Sequence, residues 1–336
     1  MPTGQTEYGD VNPETAGYLS KKFLERALEY MPFEPFVSGI TLPANETKTL
    51  RFRRWVGDWD AAVENMYLAE GVVPTAQQVT MEDVTVTLSQ MGGLTKLTDV
   101  IEDTHTDPVL NQMYDILSEQ APRIIELDRY YTLRAATSKY YSNGSARGNV
   151  NTAITTNLLK KIIRFLQRNS ALPITKYAKT TPDYDTANLN PCWIAIGHID
   201  LQGDIEGLSG FIPARNYPTH EKVFEGEPGS WQRIRFILSP MVAPYKNSGG
   251  AKGTMVSTGG TSADVYPLFI FGKNAWDSVA LKGKFAVKPM VVNPGNINQA
   301  NPLAQFGYCS WKTMQKSVIT SDDWCAVAEV AATELS

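Results

Sequence analysis

Two segments with a two-residue alternation of apolar and polar side chains flank a long connection in the first quarter of the chain. The outgoing segment is residues 47–56, and the return segment is residues 82–90. Their apolar positions are Leu50, Phe52, Val56, Val84, Val86 and Leu88. A period of two is typical of strands with one buried face, so the pattern predicts one long antiparallel β-hairpin.

The connection between the two segments carries acidic side chains and no basic ones. Residues 57–83 contain neither Lys nor Arg, and their acids are Asp58, Asp60, Glu64, Glu70, Glu82 and Asp83. This connection is several times longer than the usual hairpin loop of about 2–5 residues. A compact enzyme gains little from such a projection, whereas a subunit that lies across its neighbour gains contact area. The hairpin therefore predicts contact between subunits.

Composition indicates a folded protein and excludes some classes. The chain has 336 residues, of which 43% are hydrophobic and 20% charged, enough for two or three units sharing cores of reasonable size. The net charge of -4 argues against a dedicated nucleic-acid binder. No apolar run approaches the ~18 residues of a membrane span, and the first residues lack the features of a secretory signal.

The residues that usually carry catalysis or bind metals are sparse and scattered. The histidines are His105, His198 and His220, with no HExxH spacing and no phosphate-binding glycine loop elsewhere. Cys192, Cys309 and Cys325 are interpreted as reduced core thiols. Acidic groups at 58–60 and 102–107 could chelate a cation, but surface acids usually do not. No catalytic, metal or cofactor site is predicted.

Three amphipathic helices are predicted. One covers about 14–31; its apolar stripe packs on its own domain or on another subunit. The second runs over 107–137 and contains Pro122, which predicts a kink or a split. The third runs over about 152–168 and carries an outer basic face of Lys160, Lys161, Arg164 and Arg168. That face is either simply solvated or contacts an acidic neighbour such as the 57–83 connection.

From residue 173 onward the chain has the shorter strands and helices of a mixed α/β region. The segment PCWIAIGHIDLQGDIEGL reads as a buried strand and a short helix, and FEGEPGSWQRIRFILSPMV contains the next strand. The order of arm, long hairpin, long helix and late α/β region resembles the tailed-bacteriophage major capsid proteins, which have the Hong Kong 97 fold. The second segment is similar to the Gly-Glu-x-Gly-x5-Arg-Phe signature of the branch typified by phage N-four. GYCSWKTMQK resembles the closing Trp-Lys strand of that branch.

Two positions depart from the pattern of this branch. A His-Pro pair that relatives often carry is His198-Ile199 here, and the loop 246–264 is long and rich in glycine. The resemblance implies an α+β fold with an N-terminal arm, an extended β-hairpin loop, a peripheral domain with a long spine helix, and an axial domain. The implied bounds are 1–45 for the arm, 46–98 for the extended loop, 99–175 for the peripheral domain, 176–283 for the axial domain and 284–336 for the return to the peripheral domain.

The function that the resemblance implies is a non-enzymatic major capsid protein. It would self-assemble as hexamers and pentamers into an icosahedral head around double-stranded DNA, located in the virion and assembled in the host cytoplasm. Its partners would be other copies of itself, with a decoration protein, scaffold and portal as further partners, and no membrane. An encapsulin-like compartment of the same fold is the alternative, and an uncharacterised enzyme is a more distant one.

The hypothesis assigns contact roles to specific residues. Leu50, Phe52, Trp55, Val84, Val86 and Leu88 would form the packing face of the hairpin, and Asp58, Asp60, Glu64 and Glu70 would meet basic groups of the adjacent subunit, with the third helix as the candidate partner. Lys21, Lys22 and Arg26 could face the packaged DNA. Some members of the family cross-link an extended-loop Lys to a neighbour's Asn. No Lys occurs between Lys48 and Lys96 here, which predicts a non-covalent shell.

Overall fold

The computed structural model describes residues 31–37, 39–42, 49–57, 67–68, 70–73, 79–100, 109–177, 187–217, 224, 226–281, 288–292, 301–303 and 305–335. The α-helices in this part are α1 (Val109–Arg134), α2 (Thr156–Arg168) and α3 (Gln202–Glu206). The strands are β1 (Ile40–Leu42), β2 (Thr49–Gly57), β3 (Val79–Thr87), β4 (Ser89–Thr98), β5 (Lys139–Tyr141), β6 (Ile174–Tyr177), β7 (Ala187–Gly197), β8 (Phe211–Pro213), β9 (Gly229–Trp231), β10 (Ile234–Leu238), β11 (Tyr266–Phe271), β12 (Trp276–Leu281), β13 (Lys288–Val292), β14 (Phe306–Ile319) and β15 (Cys325–Val330).

The strands form two large sheets and one ribbon, which confirms an α+β architecture. A five-stranded sheet has the order β1-β12-β14-β13, with β4 pairing along β14. An eight-stranded sheet has the order β5-β15-β11-β7-β10-β9-β8, with β6 pairing on β7. Its centre mixes directions, since β7 and β10 are parallel while β11 is antiparallel to both β7 and β15. The ribbon is the pair β2–β3.

Helix α2 covers one face of the eight-stranded sheet. Its buried residues repeat at helical spacing and pack against β7, β10, β11 and β15; they are Leu158, Leu159, Ile162, Ile163 and Leu166. The sequence prediction of this helix is confirmed, with a start at Thr156 rather than near residue 152. The later start has a local cause, because the backbone N–H of Leu158 donates to the Thr155 hydroxyl at 3.3 Å and so caps the first turn.

Replacing the capping residue tests this account of the helix start. We expect Thr155→Ala to lower the free energy of unfolding by about 1 kcal/mol, because the Leu158 N–H would lose its side-chain acceptor. Thr155→Ser keeps the hydroxyl and serves as the control. Urea denaturation of the purified monomeric chain gives the measurement, and equal loss in both variants would contradict the capping role.

Helix α1 packs on both sheets. Its first half lies against the five-stranded sheet, where Leu117 and Ala121 contact Cys309 and Trp311 of β14. Its second half lies against the eight-stranded sheet on the face opposite α2, where Tyr130 and Leu133 belong to the same core as Phe269 and Trp276. At 26 residues the helix is about 39 Å long.

The split predicted at Pro122 is absent, since α1 is assigned as one helix through this residue. Proline removes one backbone hydrogen bond, and the packing of both halves on the two sheets holds the helix together across that gap. Residues 107–108, the first of the predicted second helix, lie outside the described residues, and so does most of the predicted N-terminal helix.

The predicted hairpin is confirmed, but its return strand begins earlier than predicted. Strands β2 and β3 pair in an antiparallel register from Thr49↔Thr87 to Gly57↔Val79. Glu82 and Asp83, which were counted both in the return segment and in the acidic connection, belong to the strand, and residues 79–81 extend it. The register places Glu82 and Asp83 opposite Arg54 and Arg53, so the connection shrinks to residues 58–78.

The division of the chain between the two sheets differs from the predicted domain bounds. Strand β12, within the predicted axial segment 176–283, belongs to the five-stranded sheet, and β15, within the predicted return to the peripheral domain, belongs to the eight-stranded sheet. Helix α2 also packs with the eight-stranded sheet rather than with the spine helix. Strand β12 joins the five-stranded sheet because the chain passes from one sheet to the other at the β11–β12 turn. Strand β15 joins the eight-stranded sheet because it pairs along the whole of β11.

Candidate assembly surfaces

The base of the hairpin is anchored within its own chain. Val86 and Leu88 are 3% and 5% exposed, and they pack with Leu42 and Val279 of the five-stranded sheet. Val84, one alternation further along the strand, is half-buried. Two of the predicted contact residues are thus core residues of the subunit itself, and they fix the direction in which the ribbon leaves the sheet.

The connection at the end of the hairpin carries four exposed apolar side chains. Tyr67, Leu68, Val72 and Val73 are 77%, 75%, 65% and 90% exposed. Gly71 between them has a φ of 76°, a conformation that side-chain-bearing residues rarely adopt, so the chain turns there. Glu70 is exposed beside the group. The contact residues predicted from the sequence include Glu70 but not these apolar residues. Four large apolar residues in a connection that is expected to be exposed indicate an interaction surface.

The register of the ribbon places the remaining hairpin residues at alternating strand positions. Leu50 and Phe52 pair with Val86 and Val84, whereas Trp55 pairs with Met81, at the opposite alternation. The assignment of these residues to one packing face stays a prediction.

Several predicted site residues have no described position. Asp58, Asp60 and Glu64 of the connection lie outside the described residues, and so do the predicted DNA-facing residues Lys21, Lys22 and Arg26. Of the predicted acids, Glu70 is the one that the structure places, at the exposed end of the hairpin.

The outer face of α2 is basic and exposed, as predicted. Lys160, Lys161, Arg164 and Arg168 are all exposed, and the helix contains no acidic residue. The Lys161 ammonium lies 5.4 Å from the centre of the Tyr140 ring. This face belongs to the eight-stranded sheet, whereas the hairpin base belongs to the five-stranded sheet.

The Gly-Glu-x-Gly-x5-Arg-Phe segment forms a buried ion pair. The Arg235 guanidinium donates from Nε and Nη2 to the two carboxylate oxygens of Glu227, each at 2.7 Å. The Tyr217 hydroxyl and the Phe224 backbone N–H also donate to this carboxylate, at 2.9 and 2.8 Å. Glu227 thereby ties the loop before β9 to the centre of β10. The sequence resemblance identified these residues but gave no reason for them.

Two further buried carboxylates tie distant segments together. Glu329 of β15 accepts two hydrogen bonds from Arg147, at 2.6 and 2.8 Å, and the Arg147 guanidinium lies 3.5 Å from the centre of the Tyr245 ring. This pair joins the loop after β5 to the base of the glycine-rich loop.

In the second half of α1, Glu126 accepts a hydrogen bond from the Phe33 backbone N–H at 3.1 Å. Arg129 forms ion pairs with both Glu126 and Glu34. Burial raises the pKa of Glu126 above its usual range, against the opposing effect of the Arg129 guanidinium. These contacts hold the segment 31–37 on α1.

The glycine-rich loop is held by its own polar groups. The carboxylate of Asp264 accepts hydrogen bonds from the backbone N–H groups of Asn247 and Thr258 and from the Thr258 hydroxyl, at 2.7, 3.0 and 2.6 Å. The loop then packs on residues 149–150 and on the segment after β15, through the backbone bonds Gly250 N–H to Val150 and Val256 N–H to Ala332. The long insertion is therefore an ordered part of the subunit.

The chemically reactive residues occupy structural positions. Cys192, Cys309 and Cys325 are buried free thiols, as predicted, and burial raises the pKa of Cys325 to about 12, so it stays protonated at neutral pH. His198 accepts a hydrogen bond from the Asp200 backbone N–H at 3.1 Å, and burial lowers its pKa. It caps the short helical segment that follows β7.

Within the described residues, no group of three or more His, Cys, Asp or Glu side chains could hold a metal ion. No helix there is both long and apolar enough to cross a membrane.

Comparison with solved structures identifies the fold. The capsid structure of the cyanophage P-SCSP1u is 15% identical over 99% of both chains, with a TM-score of 0.58. The cyanophage Pam1 capsid subunit is 12% identical over 100% of both chains, with a TM-score of 0.65. The capsid of Ralstonia phage GP4 is 9% identical over 98% of both chains, with a TM-score of 0.67.

Sequence comparison adds no nearer relative, since no protein-family model and no curated protein matches the chain. The narrower branch typified by phage N-four stays a prediction. The structural matches cover essentially the whole chain in both directions, and they bear out the fold class inferred from the order of elements. The chain has the Hong Kong 97 fold of phage capsid proteins.

Proposed function

We propose that this chain is the major capsid protein of a tailed bacteriophage, which assembles as hexamers and pentamers into the icosahedral head around double-stranded DNA. The observation that carries the proposal is the end-to-end coverage of phage capsid structures, 98–100% of both chains in three cases. The similarity includes the elements outside the sheets, and so extends beyond a shared core.

The hairpin gives the proposal its physical basis. A standard interface buries about 800 Å² per partner, and a projecting ribbon adds such area without a larger core. Here the ribbon is anchored by Val86 and Leu88 and ends in an exposed apolar group with Glu70. The contact set proposed from the sequence then becomes Leu50, Phe52, Trp55, Val84 and the acids of the connection, while Val86 and Leu88 serve as the anchor.

Charge is the second component of the proposed contact. The acids Asp58, Asp60, Glu64 and Glu70 would meet a basic surface of the adjacent subunit, and the face formed by Lys160, Lys161, Arg164 and Arg168 is one such surface. Exposed ion pairs contribute only about 0–1 kcal/mol each and are screened by salt. Their role would be to set the register between subunits and to disfavour wrong pairings.

Electron microscopy of the purified protein tests the proposal. We expect closed shells of uniform diameter, with pentamers and hexamers in a reconstruction. A protein that elutes and sediments as a monomer under all assembly conditions would overturn it. Shells that co-purify with one enzyme as cargo would instead indicate an encapsulin-like compartment.

The remaining proposed partners are a decoration protein, a scaffold, a portal and the packaged DNA, which would be bound without sequence readout. The proposed location is the virion, after assembly in the host cytoplasm.

Denaturing gel electrophoresis tests the absence of covalent links. We expect particles boiled in detergent and reductant to run as a single band of monomer mass, 37.2 kDa, because no Lys lies between Lys48 and Lys96 to form an amide with a neighbour. Boiled monomer that was never assembled is the control. A ladder of multiples seen with particles alone would contradict the prediction.

A further inference from the structure

A single Asn-Gly sequence occurs in the chain, at Asn143-Gly144 in the loop that follows β5. Asparagine before glycine is the pair most prone to spontaneous deamidation, because glycine has no Cβ to hinder attack of its backbone nitrogen on the preceding side chain. Asn143 is half-buried and Gly144 is exposed. The chain thus has one position where this reaction is chemically favoured, and the surrounding loop determines whether it occurs.

The geometry of the loop requires glycine at position 144. Gly144 has a φ of 69°, in the left-handed region that side-chain-bearing residues rarely adopt. A Cβ added there would lie 2.5 Å from the Cβ of Asn149. A larger residue at 144 would make Asn143 less reactive, but it would also displace the loop.

The side-chain amide of Asn143 uses all of its hydrogen-bonding groups. Its Nδ2 donates to the Asn149 backbone carbonyl and to Asn151 Oδ1, both at 2.8 Å. Its Oδ1 accepts from the Asn151 backbone N–H at 3.0 Å and from the hydroxyls of Thr152 and Ser142, at 3.1 and 3.2 Å. An amide offers two N–H donors and two lone pairs, so this one is fully engaged. The two backbone partners fix which end of the amide is nitrogen.

Strand β15 and the residue after it hold this loop in its closed form. The Ser142 backbone N–H donates to the Glu329 carbonyl, and the Ala331 backbone N–H donates to the Thr152 carbonyl, both at 3.0 Å. The Arg147 guanidinium also binds the Glu329 carboxylate, at 2.6 and 2.8 Å. The partners of the Asn143 amide are therefore in place only when β15 is docked beside β5.

Deamidation begins when the Gly144 backbone nitrogen, after losing its proton to solvent, attacks Cγ of Asn143. The new N–Cγ bond closes a five-membered succinimide, the Cγ–Nδ2 bond breaks, and Nδ2 takes a proton from water and leaves as ammonia. Water then opens the ring at either carbonyl, which gives aspartate or isoaspartate, so water is the one co-reactant. The leaving nitrogen is the atom that donates to Asn149 and Asn151, so the closed loop must open before it can depart.

We infer that Asn143 is a deamidation site controlled by the docking of β15: the amide persists in the closed loop and is lost from chains whose loop stays open. Neither product can restore the loop, because a carboxylate has no N–H to donate and places oxygen against the Asn149 carbonyl and Asn151 Oδ1. Release of ammonia makes the change irreversible in dilute solution. Deamidation would therefore permanently distinguish chains that stayed open from chains that closed, a property of the single chain that goes beyond the proposed function.

Peptide mass mapping of the full chain tests the site. The purified protein is incubated at neutral pH in water labelled with a heavy oxygen isotope, once folded and once in urea, and is then digested in ordinary water. Heavy oxygen at residue 143 reports only deamidation that occurred during the incubation. We expect the reaction in urea to be at least about tenfold faster than in the folded chain, because protection follows the free energy of local opening. Equal rates in the two conditions would overturn the inference.

A matched pair of variants tests the contacts of the amide. In the folded chain we expect Asn151→Ala to accelerate deamidation of Asn143 by about fivefold, because Nδ2 loses one of its two acceptors. Asn149→Ala is the control, since Asn149 accepts through its backbone carbonyl, which alanine keeps. In urea both variants should react at the rate of the unmodified chain. Identical rates for the two folded variants would show that these contacts do not protect the amide.

The structural effect of the product is tested with Asn143→Asp. Arg147 is bound to Glu329 in the closed loop, so trypsin cleavage after Arg147 reports opening. We expect the folded Asn143→Asp chain to be cleaved there about fivefold faster than the unmodified chain, because the carboxylate cannot donate to the Asn149 carbonyl. Asn149→Asp adds the same charge to the same loop and keeps the amide, so it should stay resistant. An Asn143→Asp chain as resistant as the unmodified one would contradict the claim that the product keeps the loop open.

Discussion

Glu227→Ala is expected to lower the free energy of unfolding of the subunit by about 3–5 kcal/mol, since removing one member of a buried ion pair leaves the other charge uncompensated. Arg235 is 3% exposed and has both Nε and Nη2 committed to the Glu227 carboxylate. The Phe224 backbone N–H and the Tyr217 hydroxyl lose the same acceptor. Such a loss is a large part of the 5–15 kcal/mol by which domains are usually stable.

Two companion variants separate the charge from the packing. Glu227→Gln keeps the shape and one acceptor oxygen, so it should be destabilising by less than the alanine variant. The double variant Glu227→Leu with Arg235→Met removes both charges, and it should recover part of the loss because no buried charge is left unpaired. Urea unfolding of unassembled subunits, followed by tryptophan fluorescence, provides the measurement. A double variant as unstable as Glu227→Ala would show that packing, and not charge, governs this site.

Trp276→Ala is expected to cost a similar amount, about 3–5 kcal/mol, through loss of buried area and the cavity left behind. Trp276 is 2% exposed at the start of β12, the first residue of the five-stranded sheet after the β11–β12 turn. Its ring lies edge-on to Phe33 at 6.2 Å and to Phe271 at 5.8 Å, within the core of the eight-stranded sheet. The side chain therefore fastens the two sheets to each other.

The matched control is Trp276→Phe. The indole Nε1 is buried with no hydrogen-bond partner among the described residues, so phenylalanine removes an unsatisfied donor while keeping most of the ring. We expect the phenylalanine variant to lose much less stability than the alanine variant in the same urea experiment. Equal losses would indicate that the indole N–H has a partner, and that the polar contact matters more than the ring.

The hairpin and the helices could be predicted from the sequence because their signals are local. Alternation of Val84, Val86 and Leu88 identified β3, and the helical spacing of Leu158, Leu159 and Ile162 identified α2. The start of β3 was placed at residue 82 and not at Val79, because the regular alternation begins only near Val84 and the pairing of residues 79–81 with 55–57 depends on β2.

The long-range arrangement could not be read in this way. Nothing near Cys325–Val330 indicates that this strand lies between β5 and β11, which are separated from it by many residues. The partners of Glu227 and Glu329 were also hidden, because isolated acids in a sequence look like surface residues until the fold brings Arg235 and Arg147 to them. Glu126 has Arg129 in its own helix, but its contact with the Phe33 backbone N–H depends on the fold.

The placement of β15 has a consequence for synthesis of the protein. Strand β5 is joined to the eight-stranded sheet through β15 alone, in a parallel pairing, and β11 lacks one of its two neighbours until β15 arrives. While the ribosome is still translating the residues before 325, the sheet has an open edge at β11, and the loop after β5 lacks the Glu329 carboxylate. Pairing between such distant segments is slow to form. A growing chain therefore completes the eight-stranded sheet only after residues 325–330 have been synthesised.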